Sequence, residues 1–531
     1  MIRNSEFFIR IFAMIFPGLT SLFLILRAFI DGNTSDIRYA SGVFIVFLLT
    51  LLFIRTPPSN NVKFVRKLSD LLCLTIPIIL FLPFTVIVLI FGHLDRASFI
   101  FHLAFGTTGT PWGMFIPYIV TAFVFWFTII ACVYRMDRYL RRIPFFYVIT
   151  GTVILALNPI FHDVIAKRGF AEMKSLSSYL KTVKHITSTN RPNIIIVYLE
   201  GLERTYGNQG VFPEAYKPIK NLSEQAIEFT QVHQITATGW SLAGIVATQC
   251  GVPLVVDAGN LFGHIDNKSP IVPSVTCLTD LTKDLGYRNI YISGTEIVGE
   301  QQSLYGFYNF FNAHGGSEFI DRSTMAKIHG KGIVEKDWEW DWGFRDDVVF
   351  EAALAEISGL VKTAKPFILS VATMDTHGPK AARGKPCLKE GDAVITDDIS
   401  DAIDCTSRLA EKFVNQITDV TKGTNTKIIV VSDHLAHKNN AYEILNNNER
   451  RNTVLLLSDD GPIEISKSGS MIDIFPTLLD WVGWLETDAK SAGLGTSLLS
   501  DQKTLIEKVG VIELNSRLSV DFGLSNALWT K

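Results

Sequence analysis

The sequence predicts a two-part protein. Residues 1–165 form an all-α bundle of about five membrane-spanning helices, residues 166–191 an amphipathic linker helix, and residues 192–531 an α/β domain on a largely parallel sheet. Three observations predict this. The 48% apolar content and the mean hydropathy of +0.25 are concentrated in the first third of the chain. Charge divides in the same place: residues 1–160 carry 13 Lys+Arg against 6 Asp+Glu, and the remainder carries 36 against 46. After Pro192, finally, short apolar runs alternate with helical patterns. The balance of −10 in the second part argues against a nucleic-acid partner.

Five apolar runs make up the bundle: Ile11 to Ile30, Tyr39 to Ile54, Leu71 to Phe91, Gly113 to Val133 and Phe145 to Phe161. A helix needs roughly 20 apolar residues to cross a bilayer core, which the third and fourth runs meet and the second and fifth approach. The first run makes a poor signal peptide, because no small-residue cleavage site follows it and further spans come next. Basic residues cluster before the first run (Arg3, Arg10), between the second and third (Arg55, Lys63, Arg66, Lys67) and between the fourth and fifth (Arg135, Arg138, Arg141, Arg142). The alternate loops offer Arg38 and Arg96. Positive residues stay inside, so the N-terminus is expected in the cytoplasm and everything after the fifth span outside it. From Phe170 to Ile186, Met173, Leu176, Leu180, Val183 and Ile186 recur at helical spacing beside Lys174, Lys181 and Lys184. That pattern suits a helix on the membrane surface or one packed on the next domain.

In the second part, Asn193 to Leu199, Asn289 to Ser293, Pro366 to Val371, Lys427 to Val431 and Thr453 to Leu457 have the length and composition of buried strands, with helical stretches such as Asp401 to Ile417 between them. Ligands of such sheets sit beyond the carboxyl ends of strands. The first strand runs into Glu200-Gly201, and the strand from Lys427 runs into Ser432-Asp433-His434. A carboxylate past one strand and an Asp-His pair past another are able to converge on a cation with mixed oxygen and nitrogen ligands. An acid at a strand end also serves as a helix cap or a loop charge.

These loops resemble the metal loops of the sulfatase and alkaline-phosphatase superfamily, and Asp473-Ile-Phe-Pro-Thr-Leu-Leu-Asp480 is similar to its late helix. The resemblance runs from about Pro192 to Leu499. Closer still are the membrane-bound phosphoglycerol transferases that modify osmoregulated periplasmic glucans. The residues carrying this are Glu200-Gly-Leu-Glu-Arg-Thr-Tyr206, Thr238-Gly-Trp-Ser-Leu-Ala-Gly244, Gln249-Cys-Gly-Val-Pro253, Trp342-Gly-Phe-Arg-Asp-Asp347 and Ser432-Asp-His-Leu-Ala436. Lipoteichoic-acid synthases and phosphoethanolamine transferases share the layout at a greater distance.

The resemblance implies a Thr238 nucleophile that also ligates one divalent ion with Glu200, Asp433 and His434, the ion being Mn²⁺ with Zn²⁺ and Mg²⁺ as alternatives. A hydroxyl is a weak nucleophile unless a metal or base activates it, and a helix N-terminus beneath the phosphate adds N–H groups. Without the resemblance, Thr238 reads as a helix cap. His377 resembles the family's phosphate-facing His, suited to protonating the leaving oxygen or stabilising charge. Trp342 and Arg345 lie where the family binds the headgroup; an Arg-Asp pair fixing a surface loop is the plainer reading, and Trp338 and Trp340 read as packing residues. The implied reaction moves phosphoglycerol from phosphatidylglycerol to a periplasmic glucan, at the inner membrane, and releases diacylglycerol.

Competing chemistries are weakened by particular residues. A sulfatase needs Cys or Ser in a Cys-x-Pro-x-Arg setting; Thr238 has none, and Cys250-Gly-Val-Pro253 has its Pro one place too far and no Arg. A two-zinc phosphatase needs a further His-x-x-x-His group, which His434 and His437 do not supply. Phosphoethanolamine transferases typically set cysteines on both sides of the nucleophile turn, whereas Gln231 to Gly244 contains neither Cys nor Pro. A phosphodiesterase using water and a catalytically dead sensor or scaffold stay open. Cys73 and Cys132 fall in spans, while Cys250, Cys277, Cys387 and Cys405 fall where disulfides persist. Their three connectivities stay open, with closeness along the chain favouring Cys250–Cys277 and Cys387–Cys405.

Overall fold

The computed structural model describes residues 64–92, 95–107, 109–140, 146–158, 175–183, 186, 188–257, 260, 265–297, 305–328, 339–363, 365–458, 461–485 and 488–530. The chain divides into two compact units, one of residues 1–94 and 112–171, the other of 95–111 and 172–531.

In the first unit three helices are described: α1 (Phe64–Phe91), α3 (Trp112–Leu140) and α4 (Phe146–Leu157); α2 (Arg96–Phe105) belongs to the second unit. Leu72–Phe91 and Trp112–Val133 are long and apolar enough to cross a membrane. The helix in the fifth predicted run is shorter, and the first two runs lie outside the described residues. α1 approaches α4 so closely that a Cβ on Gly151 would meet the Cys73 carbonyl at 2.0 Å. Leu74, Ile78, Phe81, Trp126, Tyr147 and Ile154 fill the space between the helices, and the Trp126 indole donates to Thr85 Oγ1 at 2.8 Å.

The second unit is built on a sheet of eight strands: β1 (Asn193–Leu199), β2 (Ala226–Phe229), β3 (Arg288–Ser293), β4 (Glu318–Ile320), β5 (Phe367–Ala372), β6 (Thr426–Ser432), β7 (Val454–Leu457) and β8 (Ile463–Ile465). Their order is β8-β2-β7-β6-β1-β5-β3-β4, and β7 runs against both its neighbours while the remaining pairs are parallel. The central strands read as continuous apolar runs because both their faces are covered. Helices α5 (Pro213–Ser223), α7 (Asp346–Leu360) and α8 (Ile399–Val420) share a core with β1, β5 and β6. Between α5 and α7 in sequence comes α6 (Ser241–Cys250). Asp473 is structural: its carboxylate accepts the Thr496 and Ser470 amides and so anchors α9 (Ile474–Trp481).

Two expectations need correction. The described part of the linker is not an amphipathic α-helix but one 3₁₀ turn, Leu176–Tyr179, followed by extended chain. Asp521 takes the Leu176 amide and the Ser175 hydroxyl, and Lys181 exchanges backbone hydrogen bonds with Gly493. Tertiary partners outcompete the helical pattern there, and Leu176 is buried on the second unit. The loop holding Asp95 to Pro111 likewise belongs to that unit, although the sequence reading placed it in the bundle. Cys250–Cys277 and Cys387–Cys405 are disulfides, and Cys73 and Cys132 are free.

Candidate active site

β1 and β6 pair in parallel with Leu199 opposite Ser432. Their next residues, Glu200 and Asp433, therefore leave the sheet side by side. Asp433 Oδ1 accepts the amides of Gly201 (2.9 Å) and His434 (2.8 Å), which locks the two loops together. Gly201 takes φ +53 and leaves only 3.2 Å between a built Cβ and the Ala436 Cα, so the close approach requires glycine. From behind, the buried Glu203 carboxylate accepts the Ala436 amide and pairs with Arg450, whose guanidinium also donates to the Ala436 carbonyl.

His434 is fully buried, and its Nδ1–H donates to the Leu435 carbonyl at 2.8 Å. That bond fixes the tautomer and points the Nε2 lone pair at Glu200 Oε1 and Asp433 Oδ2, each 3.4 Å away. Nε2 has no hydrogen-bond partner among the described residues. A lone pair facing two carboxylates is repulsive unless a cation or proton lies between them. Burial and then the Asp433 charge push the Glu200 pKa well above its ordinary value, which expresses the same conflict. One ligand atom from each residue falls within 4.8 Å of the others, so the set fits a divalent cation held by oxygens and one imidazole. Cys277, Asp280 and His314 likewise bring one ligand atom each within 4.8 Å of the others. Cys277 is in a disulfide there, and the His314 ring is bonded to Asp280 and to the Ile271 carbonyl, so that cluster is structural.

Thr238 ends the turn that leads into α6 and is fully buried. Its hydroxyl donates to the Ile235 carbonyl at 2.8 Å and accepts the Ile235 amide at 3.2 Å. The N-cap of α6 is Trp240, without a side-chain bond, so Thr238 does not cap the helix. Two contacts join α6, which follows the turn, to the loops after β1 and β6. Ser241 Oγ donates to Glu200 Oε2 at 3.1 Å, and Gly244 lies directly against the Asp433 carbonyl.

The rings of His377 and Trp342 are 4.1 Å apart. The His377 Nδ1–H donates to the Gly378 carbonyl, and burial lowers its pKa to about 4. His437, dismissed as a second-zinc ligand in the sequence, lies between the groups, 4.5 Å from the His434 ring and 6.0 Å from His377. Its signal was proximity to the Asp-His pair in one loop. The loops carrying Arg345 and His377 are clamped by a reciprocal carboxylate pair. Asp346 Oδ1 accepts the Met374 and Asp375 amides, and Asp375 Oδ2 accepts the Asp346 amide. Burial pushes Asp346 up to about 7 and Asp375 well above its usual range. Arg345 is 1% exposed and 3.8 Å from Asp347. It is buried rather than on a surface loop: its charge is paired with Asp347, while Nε and Nη2 make no hydrogen bond among the described residues. Trp340 is buried as a packing residue, while Trp338 lies outside the described residues.

The family model described as Sulfatase matches residues 192–484. Among curated proteins, phosphoglycerol transferase I of Xanthomonas campestris pv. campestris (strain B100) is 31% identical over 366 residues, covering 67% of this chain and 50% of that protein. Phosphoglycerol transferase I of Citrobacter koseri is 29% identical over 331 residues, 61% of this chain and 41% of that one. The chain thus spans about half the length of the curated relatives it matches. Among solved structures, a protein in the alkaline phosphatase superfamily from Vibrio parahaemolyticus is 21% identical, with TM-score 0.47 over 66% of this chain and 80% of that one. The lipoteichoic acid synthase LtaP from Listeria monocytogenes is 16% identical, with TM-score 0.43 over 64% and 81%.

Proposed function

We propose that this chain, which belongs to the sulfatase family, transfers phosphoglycerol from phosphatidylglycerol to a hydroxyl of a periplasmic glucan through Thr238. The observation that carries the reading is the orphaned His434 Nε2, aimed at two buried carboxylates, one of which accepts a hydrogen bond from Ser241, three residues after Thr238. The names of the curated relatives support phosphoglycerol as the group moved. Family membership does not imply sulfate chemistry, since Thr stands where formylglycine formation would need Cys or Ser.

Glu200, Asp433, His434 and the Thr238 hydroxyl would hold one divalent ion, Mn²⁺ by the oxygen-rich donor set, which when bound supplies Lewis acidity to the hydroxyl and the phosphoryl oxygens. In the first step Thr238 Oγ1 bonds to phosphorus and gives up its proton. The bond from phosphorus to the diacylglycerol oxygen breaks, that oxygen is protonated, and phosphoglycerol stays on Thr238. The glucan hydroxyl then attacks phosphorus, and the bond to Thr238 Oγ1 breaks with return of a proton. His377 protonates the leaving oxygen or stabilises charge on the phosphoryl group; its Nδ1–H is committed to the Gly378 carbonyl, which leaves Nε2 for that contact. Arg345, whose Nε and Nη2 make no hydrogen bond among the described residues, directs N–H groups to the phosphoryl oxygens, and Trp342 covers the headgroup. The setting is a multi-pass inner-membrane protein with its catalytic unit outside the cytoplasm, supported by two helices of spanning length and two disulfides.

The test uses full-length protein with labelled phosphatidylglycerol and a glucan acceptor, scoring diacylglycerol release and product mass. Thr238→Ala should reduce both to background while metal content falls and the fold persists. Substantial turnover by Thr238→Ala would remove the covalent route. An added phosphoethanolamine on the glucan would overturn the donor assignment.

A further inference from the structure

The turn before Thr238 is held by side chains from two segments far away in the sequence. Ala237 has φ +64, a left-handed conformation that a residue with a Cβ seldom adopts and that must be imposed from outside. Its amide donates to Asp95 Oδ2 at 2.8 Å, across 142 residues of chain. The preceding amide, Thr236, donates to Asn515 Oδ1 at 2.8 Å, across 279 residues. Successive N–H groups of the turn are thus each fixed by a side-chain oxygen. The two anchors are themselves joined. Asp95 Oδ1 accepts the Ala97 amide and caps α2, Arg96 of α2 donates to the Ser519 carbonyl, and Ser519 follows the helix α10 (Val511–Leu518) that carries Asn515. Phe101 and His102 of α2 lie against Trp240, with ring centroids 5.9 and 6.2 Å away.

We propose that Asp95 and Asn515 are positioning residues for the nucleophile, bracketing its turn so that Thr238 meets Glu200, Asp433 and His434. This rests on Thr238 being the attacking group. Both residues lie outside the segment 192–484 that matches the family model, so the active site is incomplete without chain from either side of it. The physical argument is directional. A carboxylate that accepts two amides at once fixes the entry to α2 and the backbone of Ala237 together. Freed of it, Ala237 relaxes toward the right-handed region and turns the Thr238 side chain away from the metal ligands. Arg345, Trp342 and His377 stand on other loops, so donor binding is untouched.

The experiment compares full-length wild type with Asp95→Ala, Asp95→Asn, Asn515→Ala and Thr238→Ala, reading kcat and KM for phosphatidylglycerol, metal content and thermal midpoint. Amide exchange of the peptide spanning Ile235 to Leu242 is followed in parallel. Asp95→Ala should lower kcat by roughly 10- to 100-fold, since about 1 Å of misplacement costs on that order. KM should be unchanged and the 235–242 peptide should exchange faster. Asp95→Asn keeps one acceptor and should recover part of kcat, and Asn515→Ala should show a smaller loss of the same kind. Wild-type kcat and unchanged exchange in Asp95→Ala would overturn the proposal, as would a loss that merely tracks metal content or melting. Normal turnover by Thr238→Ala would sink the nucleophile reading and, with it, the catalytic part of this one; the exchange data would still decide whether the bracket holds the turn.

Discussion

Replacing Gly244 by Ala tests how tightly α6 must sit on the loop that follows β6. A Cβ built on Gly244 falls 1.8 Å from the Asp433 carbonyl oxygen and 2.8 Å from its carbon, both backbone atoms that no rotamer change can move. Ordinary contact is about 3.5 Å, so α6 and the Asp433 loop must separate by roughly 1.5 Å. Overpacking of this kind costs about 1–3 kcal/mol. The functional loss should be larger than the stability loss, because the same shift parts Thr238 and Ser241 from Glu200 and Asp433. A misplacement of about 1 Å is worth on the order of 100-fold in rate. We expect Gly244→Ala to unfold at modestly lower denaturant, to bind metal more weakly, and to lose at least about 100-fold in kcat. Gly359, on α7 with nothing within 4 Å of a built Cβ, is the control, and its replacement by Ala should stabilise by about 0.5–1 kcal/mol. Urea titration, metal analysis and steady-state kinetics on both variants decide the matter. Full metal content with wild-type kcat in Gly244→Ala would refute the packing argument.

Three further outcomes can be measured. Asp346 has a folded pKa of about 7 against an unfolded value near 3.8, so its contribution to stability is full below the unfolded value and is lost as pH rises through the folded one. Asp346→Asn keeps an oxygen for the Met374 and Asp375 amides, so the melting temperature should fall less between pH 4 and pH 7 than in wild type, and an unchanged pH slope would count against it. Replacing Cys250 and Cys277 by Ser opens a loop spanning 27 residues and should cost about 3–4 kcal/mol in denaturant unfolding; a loss under about 1 kcal/mol would contradict the entropy argument. Arg345→Lys replaces a planar fork by a point charge and should raise KM for phosphatidylglycerol by about 10-fold or more, whereas an unchanged KM would remove Arg345 from the donor site.

What the sequence revealed follows the physics of each element. β1, β5 and β6 were visible because a strand buried on both faces must be apolar throughout, and the reactive groups then sit where the apolar run stops. β4 and β8, three residues each, were too short to leave a pattern, and β2 carries Glu228, whose charge breaks the run. That carboxylate is tolerated because Arg204 and Lys220 reach it, a fact of tertiary structure. Residues 175–183 misled in the opposite direction, since a helical period says nothing of Asp521. Glu200, Asp433 and His434 were legible as strand-end residues. Asp95 and Asn515 were not, because an acceptor for a distant amide has no local signature.

The position of the first strand has a consequence for how the molecule forms. β1 sits at the middle of the sheet, yet the β6 partner that brings Asp433 to Glu200 arrives 232 residues after Gly201. Closing a loop of that length costs about 5 kcal/mol in chain entropy, against which one pair of loops offers little. The pairing must wait for the intervening helices and strands to shorten the effective loop, which makes the domain a slow folder of high contact order. A growing chain therefore exposes Glu200 long before Asp433 and His434 have been made, so the cluster of the three residues comes into being late.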